Sequence, residues 1–236
     1  MAATSVAAVL RVTGETGRAM KNVSAEDFFT PAEQELIRQA VAKAEGATSG
    51  EIATMVVARS DRYLEAVTLG SVLGAASVAL LIAVSSHHVT IWSYLPLTIA
   101  LYFPAQRLIS RVPALQRPFI AQRRLGEAVK DRAIRAFYEK RLYRTRHETG
   151  ILIFISIFER KVWILGDRGI NARIPPESWQ QLVQTLTEGI REGRACEALC
   201  KVIKSCGEEL SRHFPRESDD INELKDEILI GEKTEG

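Results

Sequence analysis

The chain has few cysteines and lacks the short motifs that mark common catalytic classes. Its 236 residues include three cysteines, Cys196, Cys200 and Cys206. An odd number confined to one segment excludes a disulfide framework and agrees with a reducing compartment. The spacings of four and six residues match no zinc-binding pattern. The sequence also has no glycine-rich nucleotide loop, nucleophile elbow, zinc-protease helix or Cys-x-x-Cys pair. The cysteines share a helical stripe with Leu199, Ile203 and Leu210, which predicts small core residues.

Net charge is small, at +2, but the charges are unevenly distributed. Between Arg107 and Arg146 there are twelve basic and three acidic residues, whereas residues 215–236 hold eight acidic and three basic ones. The basic stretch begins where an apolar run ends, so anionic lipid headgroups are its expected partner. No nucleic-acid-binding motif accompanies it, and we expect no nucleic acid partner. The acidic end, 214–236, predicts a disordered tail.

Two long apolar runs lie close together near the middle of the chain. Residues 67–84 and 91–106 contain no charged residue, and six residues separate them. A bilayer core needs about 20 mostly apolar helical residues. The runs therefore predict two membrane-spanning helices, Val67 to Val84 and Ile91 to Ile109, with Arg107 snorkelling to the surface. The alternative is a core hairpin of a soluble protein.

The distribution of basic residues predicts the orientation of this hairpin. The loop between the runs, which holds His87 and His88, has no Lys or Arg, whereas both flanks are rich in Arg. Basic residues beside membrane helices stay in the cytoplasm. We therefore expect a two-helix protein of the inner (plasma) membrane with both termini in the cytoplasm.

Outside the hairpin, the sequence alternates between helical and strand patterns. Thr30, Pro31 and Glu33 form a capping signature at the start of a helix. The predicted elements are a helix from 30 to 46, a strand 51–59, a helix 120–143, a β-hairpin 151–158 and 161–165, a helix from 175 to 193, and a helix 195–213. The early strand has no partner unless it pairs with the late ones. The predicted organisation is a flexible N-terminus 1–26, one split α/β domain 27–62 and 120–213, the hairpin with its juxtamembrane segment 63–119, and the tail 214–236.

Five segments in this order resemble the TPM domain, in the bacterial membrane branch where a transmembrane hairpin interrupts the domain after its first strand. They are 30–37 (TPAEQELI), 48–57 (TSGEIATMVV), 149–156 (TGILIFIS), 159–169 (ERKVWILGDRG) and 190–199 (IREGRACEAL). The resemblance implies an α/β fold with a small sheet sandwiched by amphipathic helices. It also implies one of several roles, because some members are reported as acid phosphatases, some bind divalent metal, and others assemble or maintain membrane complexes.

Candidate functional residues lie next to the predicted strand ends. Glu148 and Asp167 are candidate ligands for Mg²⁺ or Ca²⁺, which prefer oxygen ligands. Arg168 is the candidate for stabilising phosphoryl oxygens, together with Arg144 and Arg146. Structural roles remain open: Asp167, between Gly166 and Gly169, also fits a turn residue that caps its own backbone. Further candidates are His147 as an acid or base, and the His87 and His88 pair as a metal site.

Two other carboxylates are excluded from sharing one site. Glu51 opens the first strand and Asp61 follows its end, about 30 Å away at 3.3 Å per residue. Relative to soluble TPM domains, the loop 144–150 (RTRHETG) carries arginines where acidic ligands are expected. We therefore expect a non-catalytic module that binds a membrane protein partner or maintains a membrane complex. The alternative is a membrane-tethered, metal-assisted phosphatase.

Overall fold

The computed structural model of the chain describes residues 24–86, 90–145, 148–216 and 228–231. These fall into two compact units, an α/β unit formed by the chain up to Asp61 and from Gly126 onwards, and a helical unit from Arg62 to Leu125. The helices are α1 Pro31–Glu45, α2 Leu64–Ser85, α3 Ile91–Arg111, α4 Pro113–Gln116, α5 Gln122–Glu139, α6 Arg168–Asn171, α7 Pro176–Arg191 and α8 Ala195–His213. The strands are β1 Glu51–Val57, β2 Gly150–Ser156, β3 Lys161–Gly166 and β4 Leu229–Gly231.

A four-stranded sheet in the order β3-β2-β1-β4 organises the α/β unit. β1 and β2 are parallel neighbours, with Glu51 opposite Gly150 and Val57 opposite Ser156. β3 returns antiparallel to β2, as the predicted β-hairpin requires. The pairing of β1 with β2 joins chain segments from both sides of the helical unit, which is the arrangement that the unpartnered early strand predicted.

Helices cover both faces of this sheet. Every residue of β1, β2 and β3 is buried, which explains why these strands are continuous apolar runs and not alternating ones. On one face, alternate strand residues such as Ile52, Val56 and Ile153 pack in one cluster with apolar residues of α1, α7 and α8. On the other, Met55, Phe154 and the remaining alternate residues pack with α5. The mixed α/β prediction with a small sheet is therefore confirmed.

The start of α1 follows its predicted capping signature. The Thr30 side chain accepts a hydrogen bond from the Glu33 N–H, and the Glu33 carboxylate accepts one from the Thr30 N–H at 2.8 Å. Pro31 takes the first helical position, where no N–H donor is needed. A cap of this kind contributes about 1 kcal/mol to helix stability. The sequence therefore fixes the beginning of α1 locally.

The fourth strand was not expected from the sequence. Leu229–Gly231 pairs parallel with Met55–Val57 of β1, although residues 214–236 had been predicted to form a disordered tail. That prediction is wrong for these three residues, because apolar side chains and free backbone groups allow even a short segment to add to an open sheet edge. Where β4 does not reach, the Glu45 carboxylate accepts the Ile52 N–H at 2.7 Å.

The helical unit consists mainly of α2 and α3, which pack against each other. The Tyr94 hydroxyl of α3 donates to the Ala76 carbonyl of α2 at 3.3 Å. Near the other end of α2, Gly70 is closely approached by the side chains of Ile109 and Phe119. α3 continues through two internal prolines, Pro96 and Pro104.

Among the described helices, α2 alone is both long enough and apolar enough to cross a membrane. It contains the first predicted span, Val67 to Val84. α3 has 21 residues and includes the second predicted span, but its composition falls short by the same criterion. Length and composition of one helix are weak evidence for a membrane, since core helices of soluble proteins share them.

A pair of helical glycines tests the packing of the α/β unit. A methyl group at Gly189 of α7 would overlap the Cβ atom of Ala198 on α8, whereas one at Gly126 of α5 would lie 3.8 Å from Lys161 Nζ. Gly189→Ala should lower the free energy of unfolding by about 1–3 kcal/mol because it forces the helices apart. Gly126→Ala should raise it by up to about 1 kcal/mol through helix propensity.

The measurement is denaturant-induced unfolding of the full chain in detergent, monitored by tryptophan fluorescence. Circular dichroism of both variants before denaturation controls for gross misfolding. Equal effects of the two substitutions would contradict the described contact of α7 with α8.

Candidate functional site

Three of the predicted carboxylates lie at one end of the strands, where β1 and β2 begin and β3 ends. We call this end of the sheet the amino edge. Glu51 is the first residue of β1, Glu148 lies two residues before β2, and Asp167 follows β3. Backbone hydrogen bonds lock the turns together: Asp167 N–H donates to Gly150 O at 2.9 Å, and Gly169 N–H donates to Glu148 O at 3.1 Å. The fold therefore places Glu148 and Asp167 on adjoining turns.

Asp167 has the most unusual environment at this edge. Its side chain is 8% exposed, and Oδ1 accepts the Arg168 N–H at 2.7 Å, which caps α6. The Oδ2 atom is buried and has no hydrogen-bond partner in the described structure. Burial raises the pKa of Asp167, the bond from Arg168 N–H opposes that shift, and the charge of Glu148 adds to it. A buried acceptor without a donor is costly, so Oδ2 is a position for a proton, a water molecule or a cation.

Glu148 is held beside Asp167 by a strained turn. Its φ of 54° is in the left-handed region, which costs a residue with a side chain about 1–2 kcal/mol. The turn is stabilised by Thr145, whose carbonyl accepts the Glu148 N–H at 3.1 Å and whose hydroxyl accepts the Thr149 N–H at 2.9 Å. The Glu148 carboxylate is exposed, and its charge is close enough to affect the pKa of Asp167.

The cationic candidates are less well positioned than the carboxylates. Arg168 is the first residue of α6 and Arg144 ends the short turn Leu142–Arg144; both side chains are exposed. No hydrogen bond from either guanidinium to Glu148 or Asp167 appears in the described structure. The candidates Arg146, His147, His87 and His88 lie outside the described residues.

The amino edge provides only part of a metal site. Within the described ranges, no group of three or more His, Cys, Asp or Glu side chains is placed to hold a metal ion. Asp167 Oδ2 and the Glu148 carboxylate could bind one side of Mg²⁺ or Ca²⁺, both of which accept six or more oxygen ligands including water. Glu51 begins β1 and Asp61 follows its other end, so these two do not share a site.

Sequence reasoning missed a polar cluster at the opposite edge of the sheet, formed by Ser60, Ser156 and Glu159. Glu159 is 1% exposed, and its carboxylate accepts the Ser60 N–H at 2.9 Å and the Ser156 hydroxyl. The two serine hydroxyls lie 2.9 Å apart. The cluster ties the end of β1 to the turn between β2 and β3. Glu159 lies in the turn between β2 and β3, so the sequence indicated only that it is a turn residue.

Comparisons with known proteins agree with this fold. A family model described as the TPM domain matches residues 118–209, so this part of the chain is similar to that domain. No curated protein matches the chain. The NMR structure of the BA42 protein from the psychrophilic bacterium Bizionia argentinensis is similar, with a TM-score of 0.56 and 22% sequence identity over 87% of this chain and 97% of that one. At this identity the likeness establishes the fold alone.

The raised pKa of Asp167 has a measurable consequence. A carboxyl group whose pKa is higher in the folded state makes the fold less stable as pH rises through its unfolded pKa. Asp167→Asn keeps a capping side chain, since Asn and Asp cap equally well, but removes the titration. We expect the variant to gain thermal stability relative to the wild-type chain as pH rises from about 4 to about 7.

Melting curves of both proteins across this pH range, in one detergent and with a chelator present, provide the measurement. Glu148→Gln should give a smaller gain in the same direction, because the charge of Glu148 is a lesser cause of the shift. A stability difference that does not change with pH would contradict the described environment of Asp167.

Proposed function

We propose that this chain is an integral membrane protein, anchored by α2 and α3, whose TPM domain is a non-catalytic binding module for a membrane protein partner or complex. The proposal rests on one observation above all, the inverted distribution of side chains on α2. Its second element, the binding role, rests on the exposed side chains of Glu148, Arg144 and Arg168 at the amino edge. The third, the orientation in the membrane, rests on the basic residues.

Small side chains face inward on α2 and large apolar ones face outward. Ser71, Ala75, Ala79 and Ala83, spaced four residues apart, are buried. The exposed residues are larger, namely Leu69, Val72, Leu73, Val78, Leu80, Leu81, Ile82 and Val84. A helix in water buries its large apolar residues. In lipid, helices associate through small residues that allow close approach, while large ones face the acyl chains.

α3 also exposes large apolar side chains. Its exposed residues include Ile91, Trp92, Leu95, Ile99 and Phe103. Together with α2 it presents an apolar surface far beyond the scattered patches of a soluble monomer, which supports a lipid environment.

Four hydroxyl groups of these two helices are hydrogen-bonded within their own helix. Ser71, Ser77 and Ser85 donate to the carbonyl four residues earlier at 2.6–2.8 Å, and Thr98 of α3 does the same to Tyr94 at 2.9 Å. Internal bonding removes the cost of a polar group in hydrocarbon. The prolines of α3 are also tolerated in membrane helices, where neighbouring side chains satisfy freed backbone groups.

The basic residues support a cytoplasmic position for both termini. Arg107 and Arg111 lie in the last turns of α3 and Arg62 precedes α2, whereas residues 85–90 hold no Lys or Arg. This distribution matches the positive-inside rule. The basic residues up to Arg124 would also contact anionic headgroups, each contributing about 1 kcal/mol.

The non-catalytic role is supported by the amino edge. Glu148, Arg144 and Arg168 are exposed, and no described hydrogen bond aligns a base or a cation with Asp167. Enzymes hold such groups in preorganised arrangements. An exposed mixed-charge edge instead fits recognition of a polar protein surface.

Two equally exposed leucines test membrane insertion. Leu73, near the middle of α2, is 49% exposed, and Leu36, on α1 of the α/β unit, is 55% exposed. Leu73→Arg should disfavour insertion by about 2.5–3.5 kcal/mol, the cost of a charge at the centre of a membrane helix. Leu36→Arg should have little effect.

The readout is the fraction of chain that resists alkaline extraction of membranes, together with a reporter fused after Gly236. Wild type and Leu36→Arg should remain in the membrane with a reporter active in the cytoplasm. Full extraction of the wild-type chain would contradict the anchor, and a reporter active only outside would contradict the orientation.

A metal-assisted phosphatase is the second candidate, favoured by the unpartnered, buried Oδ2 atom of Asp167. In this reading Asp167 and Glu148 would hold Mg²⁺ or Ca²⁺, the ion would supply Lewis-acid chemistry for a phosphate ester, and Arg168 would stabilise phosphoryl oxygens. Its weakness is the small number of ligands at the amino edge.

Hydrolysis of a generic phosphate monoester by the full chain in detergent distinguishes the two functions. The assay should cover acidic to neutral pH with Mg²⁺, Ca²⁺ or Mn²⁺, and include the Asp167→Ala, Glu148→Ala double variant. We expect no hydrolysis above background from the wild-type chain. Metal-dependent hydrolysis that the double variant loses, with its fold intact by circular dichroism, would establish the phosphatase instead.

A further inference from the structure

A groove of ≈ 620 Å³ lies on the α/β unit between α1 and the first turns of α8. Its walls are mainly apolar, with Leu36 and Ala40 on the α1 side, and Cys196 and Cys200 line it from α8. Both cysteines are only half-buried, in contrast to the prediction that all three are core residues. Cys206 does belong to the core, where it is fully buried. The groove therefore exposes a pair of thiols.

The two cysteines share one face of α8. Cys196 and Cys200 are four residues apart on this helix and both line the groove, so their Cβ atoms are about 5–6 Å apart. The Cys196 thiol also lies 3.9 Å from the main-chain oxygen of Glu33 on α1. Both cysteines therefore belong to the wall that α8 contributes to the groove.

Helix geometry favours a dithiol over a disulfide at this position. Side chains four residues apart on a helix have Cβ atoms about 5–6 Å apart, whereas a disulfide requires about 3.5–4.5 Å. A bridge between Cys196 and Cys200 would thus require the first turns of α8 to unwind. Zinc is also a poor fit, because it takes four ligands and the described residues place no third His, Cys, Asp or Glu with the pair.

We propose that Cys196 and Cys200 form a two-coordinate site for a soft monovalent metal ion, Cu(I). Thiolates select such ions over hard cations. With metal–sulfur bonds of about 2.3 Å, two sulfurs on opposite sides of an ion lie about 4.6 Å apart, a separation that side chains with Cβ atoms about 5–6 Å apart can adopt. On binding, two S–H bonds break, two S–Cu bonds form, and two protons leave to solvent. Copper keeps its oxidation state, so no oxidant or reductant is needed.

The environment of the two cysteines keeps their thiols protonated, so Cu(I) has to displace the thiol protons when it binds. Burial, followed by the neighbouring Cys200 and the charge of Glu33, raises the pKa of Cys196 to about 12, and burial raises the pKa of Cys200. The pair is therefore protonated at neutral pH and slow to oxidise. The charged groups that line the groove are Glu33 and Lys43 from α1, Arg194 at the start of α8, and Glu197 on α8. The two cations balance the two carboxylates, and Arg194 is paired with Glu192 and Glu197.

Titration of Cu(I) into the reduced full chain in detergent, in competition with a chromogenic Cu(I) chelator, tests the proposal. We expect one ion per chain and a thiolate-to-copper charge-transfer absorption in the ultraviolet. Affinity should rise with pH by up to about 100-fold per unit, because two protons are released. Ag(I) should compete for the site, and Zn²⁺ should not.

Cys196→Ser and Cys200→Ser should each weaken binding by more than about 100-fold, since even a change outside the ligand shell can cost 10–100-fold. Cys206→Ala is the matched control, which removes a thiol from the same helix but not from the groove, and it should bind as the wild type does. Thermal melting confirms that each variant is folded. The proposal would be wrong if Cys196→Ser and Cys200→Ser bound Cu(I) as tightly as the wild type does. It would also be wrong if the wild-type chain did not compete with the chelator.

Discussion

The parallel pairing of β1 with β2 is the constraint on which the rest of the structure depends. In sequence, β1 precedes the helical unit and β2 follows it. Neither strand has a complete set of backbone hydrogen-bond partners without the other. Their pairing also creates the two buried faces that α1, α7, α8 and α5 cover. Closing a long loop costs only about 0.6 kcal/mol for each doubling of its length, so the sheet tolerates the insertion.

The same pairing places the acidic and polar clusters of the α/β unit at the two ends of its strands. At the amino edge it sets Glu51, the first residue of β1, beside the turns that carry Glu148 and Asp167, with an unpartnered acceptor on Asp167. At the opposite edge it lets Glu159 accept bonds from both chain segments, through Ser60 and Ser156. The first cluster is incompletely satisfied and partly exposed, as binding sites are. The second is buried and bonded, and its role is to hold the strands in register.

The helical unit follows a different rule of packing. On α2, small residues such as Ser71, Ala75 and Ala79 are buried, and the large apolar side chains from Leu69 to Val84 are exposed. This arrangement would be unfavourable in water and is suitable for lipid, because lipid provides no hydrophobic drive to bury leucine. The α/β unit buries its large apolar side chains, whereas α2 exposes most of them.

By itself, the sequence determined the features that depend on local patterns. The capping box of α1, the β2–β3 hairpin, the extent of α8 and the apolar character of 67–84 all arise within a few residues. The tertiary structure decided which of the candidate residues meet. Glu148 and Asp167 adjoin only because β3 returns beside β2, and Glu159 finds Ser60 only because β1 ends beside the same turn. β4 was missed because its pairing partner is distant, and the thiols of Cys196 and Cys200 were assigned to the core because helical periodicity does not reveal where a neighbouring helix leaves a groove.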